Sequence, residues 1–88
     1  MNNPRRITLI SRQRCELCSD LLALLEPYVR SGQLLLQEID VDADPKLFAL
    51  HAWRVPVVME HGQELLWGRV EPSEVLASFG MPLPALPA

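Results

Sequence analysis

The sequence predicts an α/β fold in which a mixed four-stranded sheet is flanked by helices, in the order β-α-β-α-β-β-α. Short apolar segments typical of strands alternate with leucine-rich segments at helical spacing. Asp44-Pro45 and Glu71-Pro72 are typical helix starts, and His61-Gly62 lies between two short strand-like segments, which indicates a hairpin. At 88 residues, the chain is long enough for one hydrophobic core.

The first half of the chain predicts a strand, a helix and a second strand. Ile7 to Ile10 is short and apolar, as expected of a strand. The leucines that follow recur at helical spacing, so a helix is expected to begin near Cys15 to Cys18 and to run to Glu26, with a kink at Pro27 before the stop at Ser31-Gly32. Leu34 to Val41 is apolar with late alternation and predicts the second strand, which a right-handed crossover places parallel to the first.

The second half predicts a helix, a hairpin and a last helix. Asp44 is the expected N-cap of the first of these helices, with Pro45 at a position where a missing N–H removes no hydrogen bond. The buried side of this helix is expected to comprise Leu47, Phe48, Leu50 and Ala52. The hairpin strands are expected at Val57 to Met59 and Leu65 to Trp67, and the last helix from Glu71-Pro72 to Gly80.

Composition and charge narrow the class of protein. Residues 1–80 are expected to form a single domain, and the proline-rich residues 81–88 an extended tail. The longest apolar runs fall far short of the roughly 18–20 residues of a membrane helix. Ser11, Arg12 and Arg14 interrupt the apolar N-terminal segment too early for an export signal, so we expect a cytoplasmic protein. A net charge of −3 provides no global field that would attract nucleic acid.

The chain's two cysteines lie where the first strand gives way to the first helix. In a reducing cytosol such a pair is expected to be catalytic or metal-binding. Unpaired N–H groups at a helix N-terminus stabilise a thiolate by about 0.3–1 kcal/mol, so Cys15 is the natural nucleophile. Cys18 lies one turn further along the same side and is the natural resolving thiol, which closes a Cys15–Cys18 disulfide. Arg12 and Arg14 favour the thiolate, whereas Glu16 opposes it.

Metal binding is the main alternative for a Cys-x-x-Cys pair. A structural zinc site needs four ligands, and the chain's two histidines, His51 and His61, lie far from the cysteines in the sequence. We therefore expect no metal site within one chain. An iron–sulfur cluster that bridges two chains, with one thiolate from each, stays open as an alternative.

These features resemble the thioredoxin-fold superfamily and, within it, the small glutaredoxin-like proteins. The resemblance covers Ile7 to about Phe79. It depends on a strand that enters Cys15-Glu16-Leu17-Cys18, on the element order, on Val55-Pro56 at the start of the third strand and on Gly68 before the last helix. The resemblance implies a thioredoxin/glutaredoxin-like fold.

The resemblance also implies roles for individual residues. Pro56 would be a cis-proline opposite the nucleophilic sulfur, and the backbone of Val55 would pair with the substrate. Arg12, Gly68 and Glu71 would match the basic residue, one glycine and the acidic residue with which glutaredoxins bind glutathione.

Four positions depart from the glutaredoxin pattern. Glu16-Leu17 replaces the usual Pro-Tyr between the cysteines, so the reduction potential does not transfer from the family. Arg54 replaces the threonine of Thr-Val-Pro, and Trp67 replaces the first glycine of the glutathione site. Trp67 and Trp53 are expected by default to serve packing, and the alternatives are that Trp67 blocks the site of the γ-glutamyl end of glutathione and that Trp53 contacts the substrate.

The predicted function is therefore that of a glutaredoxin-like thiol–disulfide oxidoreductase. It would reduce protein disulfides or glutathione mixed disulfides as a monomer, with no bound cofactor and with glutathione as a candidate co-substrate. Two alternatives stay open. One is a non-catalytic thioredoxin-fold adaptor with a redox-sensitive cysteine pair, and the other is iron–sulfur or metal handling by a dimer.

Overall fold

The computed structural model describes residues 3–84, and its helices and strands follow the predicted order. The strands are β1 (Arg5–Ser11), β2 (Leu34–Asp40), β3 (Val57–Glu60) and β4 (Gln63–Trp67). The helices are α1 (Glu16–Arg30), α2 (Pro45–His51) and α3 (Pro72–Phe79). A single 3₁₀ turn, Val41–Ala43, which the sequence did not predict, connects β2 to α2.

The strands form one four-stranded sheet in the order β2-β1-β3-β4. β1 runs parallel to β2 and antiparallel to β3, and β3 and β4 form the hairpin. The predicted mixed four-stranded sheet is therefore confirmed. Residues 81–84 contain no helix or strand, and the remainder of the predicted tail, 85–88, lies outside the described residues.

Successive residues of the strands serve two cores, because side chains of a strand point alternately to the two faces of its sheet. Leu9 and its partner Val58 pack with α1 and α3 on one face. Ile10 and its partner Val57 pack with Val41 and with the α2 side on the other face. The larger core comprises Ile7, Leu9, Leu21, Leu25, Tyr28, Leu34, Val58, Leu66 and Val75.

The buried side of α2 differs from the prediction. Phe48 and Leu50, which were expected inside, are 46% and 63% exposed. The side chains that pack inward are Leu47 and Ala52, both partly buried as predicted, and His51, which is buried. Residues four apart share one face of a helix, whereas Phe48 and Leu50 fall on the two flanks of that face. The predicted set thus combined residues that do not all lie on one face of the helix.

The predicted turns and helix ends are present. His61 and Gly62 both have positive φ, 52° and 78°, which is the geometry of a two-residue hairpin turn. α1 ends at Arg30 with Ser31 as its C-cap, and α2 begins with Asp44 as its N-cap. Within residues 3–84, no helix combines the length and the apolar character needed to cross a membrane.

Candidate active site

The site lies at the end of the sheet where three strands finish and one starts, and this end is here called the site edge. β1, β2 and β4 end there and β3 begins there, since Ser11 pairs with Asp40 and Val57 pairs with both Ile10 and Trp67. The loop that follows β1 leads directly to Cys15 and α1. The topology therefore gathers the two cysteines, the start of β3 and the end of β4 at one end of the molecule.

Cys15 and Cys18 form a disulfide across the first turn of α1, with their Cα atoms 5.2 Å apart. Cys15 is the N-cap of the helix, and its Sγ accepts a hydrogen bond from the backbone N–H of Cys18 at 3.2 Å. Cys18 is buried, whereas Cys15 is partly exposed beside a surface depression of ≈ 440 Å³. The more exposed of the two cysteines is thus the one whose sulfur accepts a backbone N–H at the helix N-terminus.

The charged residues beside Cys15 only partly match those predicted from the sequence to affect its thiolate. Arg14 lines the depression beside Cys15, together with the acidic Glu16 and Asp20. Asp20, four residues after Glu16 on the helix, was not singled out in the sequence, although i and i+4 positions share a face. The depression therefore carries charges of both signs.

Arg12 does not line the depression beside Cys15 and instead forms an ion pair with Asp42. Its Nε and Nη2 each donate to a carboxylate oxygen of Asp42 at 3.0 Å, and its guanidinium lies 5.5 Å from the ring centroid of Phe48. The hydrogen bonds to Asp42 raise the pKa of Arg12 above its ordinary value. Sequence reasoning offered no signal for this pair, because its members are 30 residues apart. The role of Arg12 in substrate binding stays a prediction.

Three predicted site residues meet at the start of β3. The Val55–Pro56 peptide bond is cis, and Pro56 is buried. The N–H of Gly68 donates to the Pro56 carbonyl oxygen at 2.8 Å. Gly68 has φ of 71°, a left-handed conformation that other residues adopt at a cost. The backbone after β4 therefore closes onto the Val55-Pro56 segment.

Glu71 lies on another part of this surface. It is the N-cap of α3, and its N–H donates to the Glu74 carboxylate at 3.0 Å. It lines a depression of ≈ 360 Å³ that extends along α1 and includes Leu17 and Arg69. The structure thus brings Cys15 with Cys18, and Val55 and Pro56 with Gly68, while Arg12 and Glu71 have their own partners.

An aromatic patch, formed by Trp53, Arg54 and Trp67, adjoins the Val55-Pro56 segment. The guanidinium carbon of Arg54 is 4.6 Å from the Trp67 ring centroid and 5.6 Å from that of Trp53. The two indole rings meet edge to face, with centroids 6.4 Å apart. Both rings are exposed, so the default expectation of packing does not account for them. The signal in the sequence was their closeness to Val55 and Gly68.

The candidate metal ligands do not gather at one place in the structure of residues 3–84. Among residues 3–84, no group of three or more histidine, cysteine, aspartate or glutamate side chains is placed to hold a metal ion. His51 lies instead beside Glu64, with Nδ1 3.7 Å from a carboxylate oxygen. This observation concerns a single chain, so the alternative of a cluster bridging two chains is not tested by it.

Solved structures of other proteins are similar to this chain in their overall fold. A protein from Nitrosomonas europaea, Ne2328, has a solution structure that is 27% identical to this chain, with a TM-score of 0.72 over 90% of this chain and 99% of its own. The X. campestris protein XcR50 is 25% identical, with a TM-score of 0.68 over 82% and 92% of the two chains. A malarial protein at 15% identity and a TM-score of 0.53, covering 85% and 92%, shares the fold.

No curated protein matches the chain. The profile of the Glutaredoxin-like domain (DUF836) matches residues 6–79, which are most of the sequence. That span includes all four strands after the first residue of β1, all three helices and the Cys15–Cys18 disulfide. The predicted resemblance and the thioredoxin-like fold are therefore confirmed, and the chain belongs to the Glutaredoxin-like domain (DUF836) family.

Proposed function

We propose that this protein is a thiol–disulfide oxidoreductase with Cys15 as nucleophile and Cys18 as resolving thiol. The observation that carries the proposal is the unequal setting of the two sulfurs. Cys15 is partly exposed and accepts the Cys18 N–H at the start of α1, whereas Cys18 is buried directly behind it. Backbone N–H groups at a helix N-terminus stabilise a thiolate, and the thiolate is the reactive form.

The proposed reaction starts from the dithiol form. The Cys15 thiolate attacks one sulfur of a substrate disulfide; that S–S bond breaks, a Cys15–substrate disulfide forms, and the other substrate sulfur leaves as a thiolate that takes a proton from water. Cys18 then loses its proton and attacks the Cys15 sulfur. The Cys15–Cys18 disulfide forms and the second substrate thiolate leaves, so two electrons have passed from the protein to the substrate.

The oxidised form has to be reduced before the next turnover. Two equivalents of a small thiol such as glutathione, or one protein dithiol, would return the Cys15–Cys18 disulfide to two thiols. A reducing compartment such as the cytoplasm provides such reductants. Cytoplasmic location, the monomeric state and the choice of electron donor stay predictions.

Single-cysteine variants test the proposal. With a small disulfide as substrate and either glutathione or a thioredoxin system as reductant, Cys15→Ser is expected to lower turnover to the background rate. Cys18→Ser keeps the nucleophile and is expected to accumulate a mixed disulfide, visible by intact mass as one added substrate moiety. Comparison of the two reductants identifies the electron donor.

The controls separate catalysis from a passive cysteine pair. Cys15→Ser treated in the same way should gain no substrate mass, because buried Cys18 is a poor target. If both single variants retain the wild-type rate, the oxidoreductase proposal is wrong. If the wild-type protein exchanges with neither reductant, the adaptor alternative is favoured.

A further inference from the structure

The chain's two tryptophans, Trp53 and Trp67, are both in the aromatic patch. Trp53 is 78% exposed and Trp67 is 51% exposed. Large aromatic side chains contribute most when buried, and a paired set left open to water commonly marks an interaction surface. Their contacts with each other and with Arg54 leave most of the Trp53 surface open.

Arg54 connects the two rings of the patch to β4 through an ion pair. Arg54 packs against both rings, and its Nη2 lies 3.1 Å from a carboxylate oxygen of Glu64 on β4. The ion pair restrains the guanidinium, which in turn restrains the two rings. It also cancels the charge of Arg54 locally. An exposed and locally neutral aromatic surface suits an apolar side chain better than a carboxylate or a phosphate.

The patch adjoins the Val55-Pro56 segment, which is predicted to pair with the substrate. Trp67 pairs with Val57 across the hairpin, the next residue binds the Pro56 carbonyl, and Trp53 precedes Val55 by two positions. Neighbouring strands are about 4.8 Å apart, so the end of β4 lies about 10 Å from the end of β1 that leads to Cys15. In an extended polypeptide whose cysteine is bonded to Cys15, residues within about three positions of that cysteine span this distance.

The surroundings favour a polypeptide over glutathione. Glutathione has two carboxylates and little apolar surface, so it requires cationic partners. The fork of Arg12 is already filled by both oxygens of Asp42. Arg54 is likewise paired, with Glu64. These two cations are thus occupied, and Arg14 shares the depression beside Cys15 with the acidic Glu16 and Asp20, whereas the apolar surface of the patch is open.

We infer that the aromatic patch is a docking surface for an apolar side chain next to the cysteine of a protein disulfide, and that such disulfides are preferred over glutathione mixed disulfides. The inference rests on the proposed function. It assigns Trp53 and Trp67 to substrate selection and Arg54 to their positioning.

The test uses three substrates that share one chromogenic leaving thiol. Two are peptides that differ only in the residues flanking the cysteine, leucine in one and serine in the other, and the third is glutathione. Reduced wild-type protein is expected to react with the leucine peptide about tenfold faster than with the other two, as partial burial of one leucine would give. In Trp53→Ala the ratio of the leucine to the serine peptide should fall to about one, and Trp53→Phe should restore most of it.

A matched control lies on β2, the edge strand on the other side of the sheet from β4. Leu35 on β2 is 50% exposed, and Leu35→Ala removes exposed apolar surface away from the patch. This variant should keep the wild-type ratio. If Leu35→Ala lowers the ratio as Trp53→Ala does, or if wild-type protein uses glutathione as fast as the leucine peptide, the docking inference is overturned.

Intrinsic fluorescence gives a readout independent of rate, because both tryptophans belong to the patch. When Cys18→Ser is trapped as a mixed disulfide with the leucine peptide, the emission should shift to shorter wavelength, and less so with the serine peptide. Reaction with both peptides at equal rates and without a shift would overturn the docking inference alone. Reaction with none of the three substrates would refute the proposed function, and the docking inference with it.

Discussion

At the scale of single residues, the Cys15 sulfur both serves as the proposed nucleophile and caps α1. It accepts the N–H of Cys18 at 3.2 Å, which a serine oxygen at this position also does well and an alanine cannot do. In the reduced protein, Cys15→Ala is therefore expected to lower the free energy of unfolding by about 1 kcal/mol relative to Cys15→Ser. Urea unfolding in the presence of excess reductant measures the difference.

The neighbouring cysteine provides the control for this comparison. Cys18 is buried, so Cys18→Ser places a hydroxyl group in an apolar setting, whereas Cys18→Ala removes only volume. The order should reverse, with alanine at least as stable as serine at position 18. Equal stability of the alanine and serine variants at position 15 would show that the sulfur does not act as a cap.

At the scale of elements, one ion pair ties β1 to the end of β3 and to α3. Arg5 Nη2 and Nε lie 2.7 and 2.9 Å from the Glu60 carboxylate oxygens, and Nη1 donates to the Ser78 carbonyl oxygen at 2.8 Å. The hydrogen bonds from Arg5 lower the pKa of Glu60 below its ordinary 4.5. A lowered pKa in the folded state contributes stability that is present above pH 4.5 and is lost as pH falls through the folded value.

The prediction for this pair is a pH-dependent loss of stability. Glu60→Gln is expected to lower the free energy of unfolding by about 0.2–1 kcal/mol at pH 7, since the pair is partly exposed. The difference from wild type should shrink as pH falls below 4.5. Glu26→Gln, in the more exposed Glu26–Arg30 pair on α1, is the control and should change stability by less than about 0.5 kcal/mol. A Glu60→Gln deficit that is constant from pH 7 to about pH 3 would contradict the linkage.

Local signals in the sequence were sufficient to predict where most of the helices and strands lie. Asp44-Pro45, Glu71-Pro72 and His61-Gly62 each constrain their own backbone, and each begins or turns an element where expected. The start of α1 near Cys15 was predicted for the same reason, because a strand that gives way to leucines at helical spacing indicates where the helix begins. Such features depend on residues within one turn of each other.

Features that depend on residues far apart in the sequence could not be predicted from such local signals. The Arg12–Asp42 pair, the burial of His51 beside Glu64 and the stacking of Arg54 on Trp67 each join different elements. The tryptophans were assigned to packing by default, because their exposure depends on how β4 meets the segment before β3. The cysteine pair was thus predictable from local sequence, whereas its surroundings depend on the assembled sheet.

At the scale of the whole molecule, the two ends of the sheet have different tasks. The site edge carries the disulfide and the aromatic patch. The opposite end fastens the elements together: Arg5 N–H donates to the Gln33 carbonyl, Gln33 N–H to the Tyr28 carbonyl, and the Tyr28 hydroxyl to the Gly80 carbonyl. β1, with seven residues, spans about 20 Å between the two ends.

This separation predicts that stability and turnover respond independently to changes at the fastening end. Tyr28→Phe removes the hydrogen bond to Gly80 but keeps the ring that packs against Phe79 at 5.7 Å. The free energy of unfolding is expected to fall by about 0.5–1.5 kcal/mol, measured by urea unfolding. Under conditions where the variant stays folded, kcat/KM for disulfide reduction should match the wild-type value. If kcat/KM falls along with the stability, the two ends are coupled through the sheet and the division of tasks is wrong.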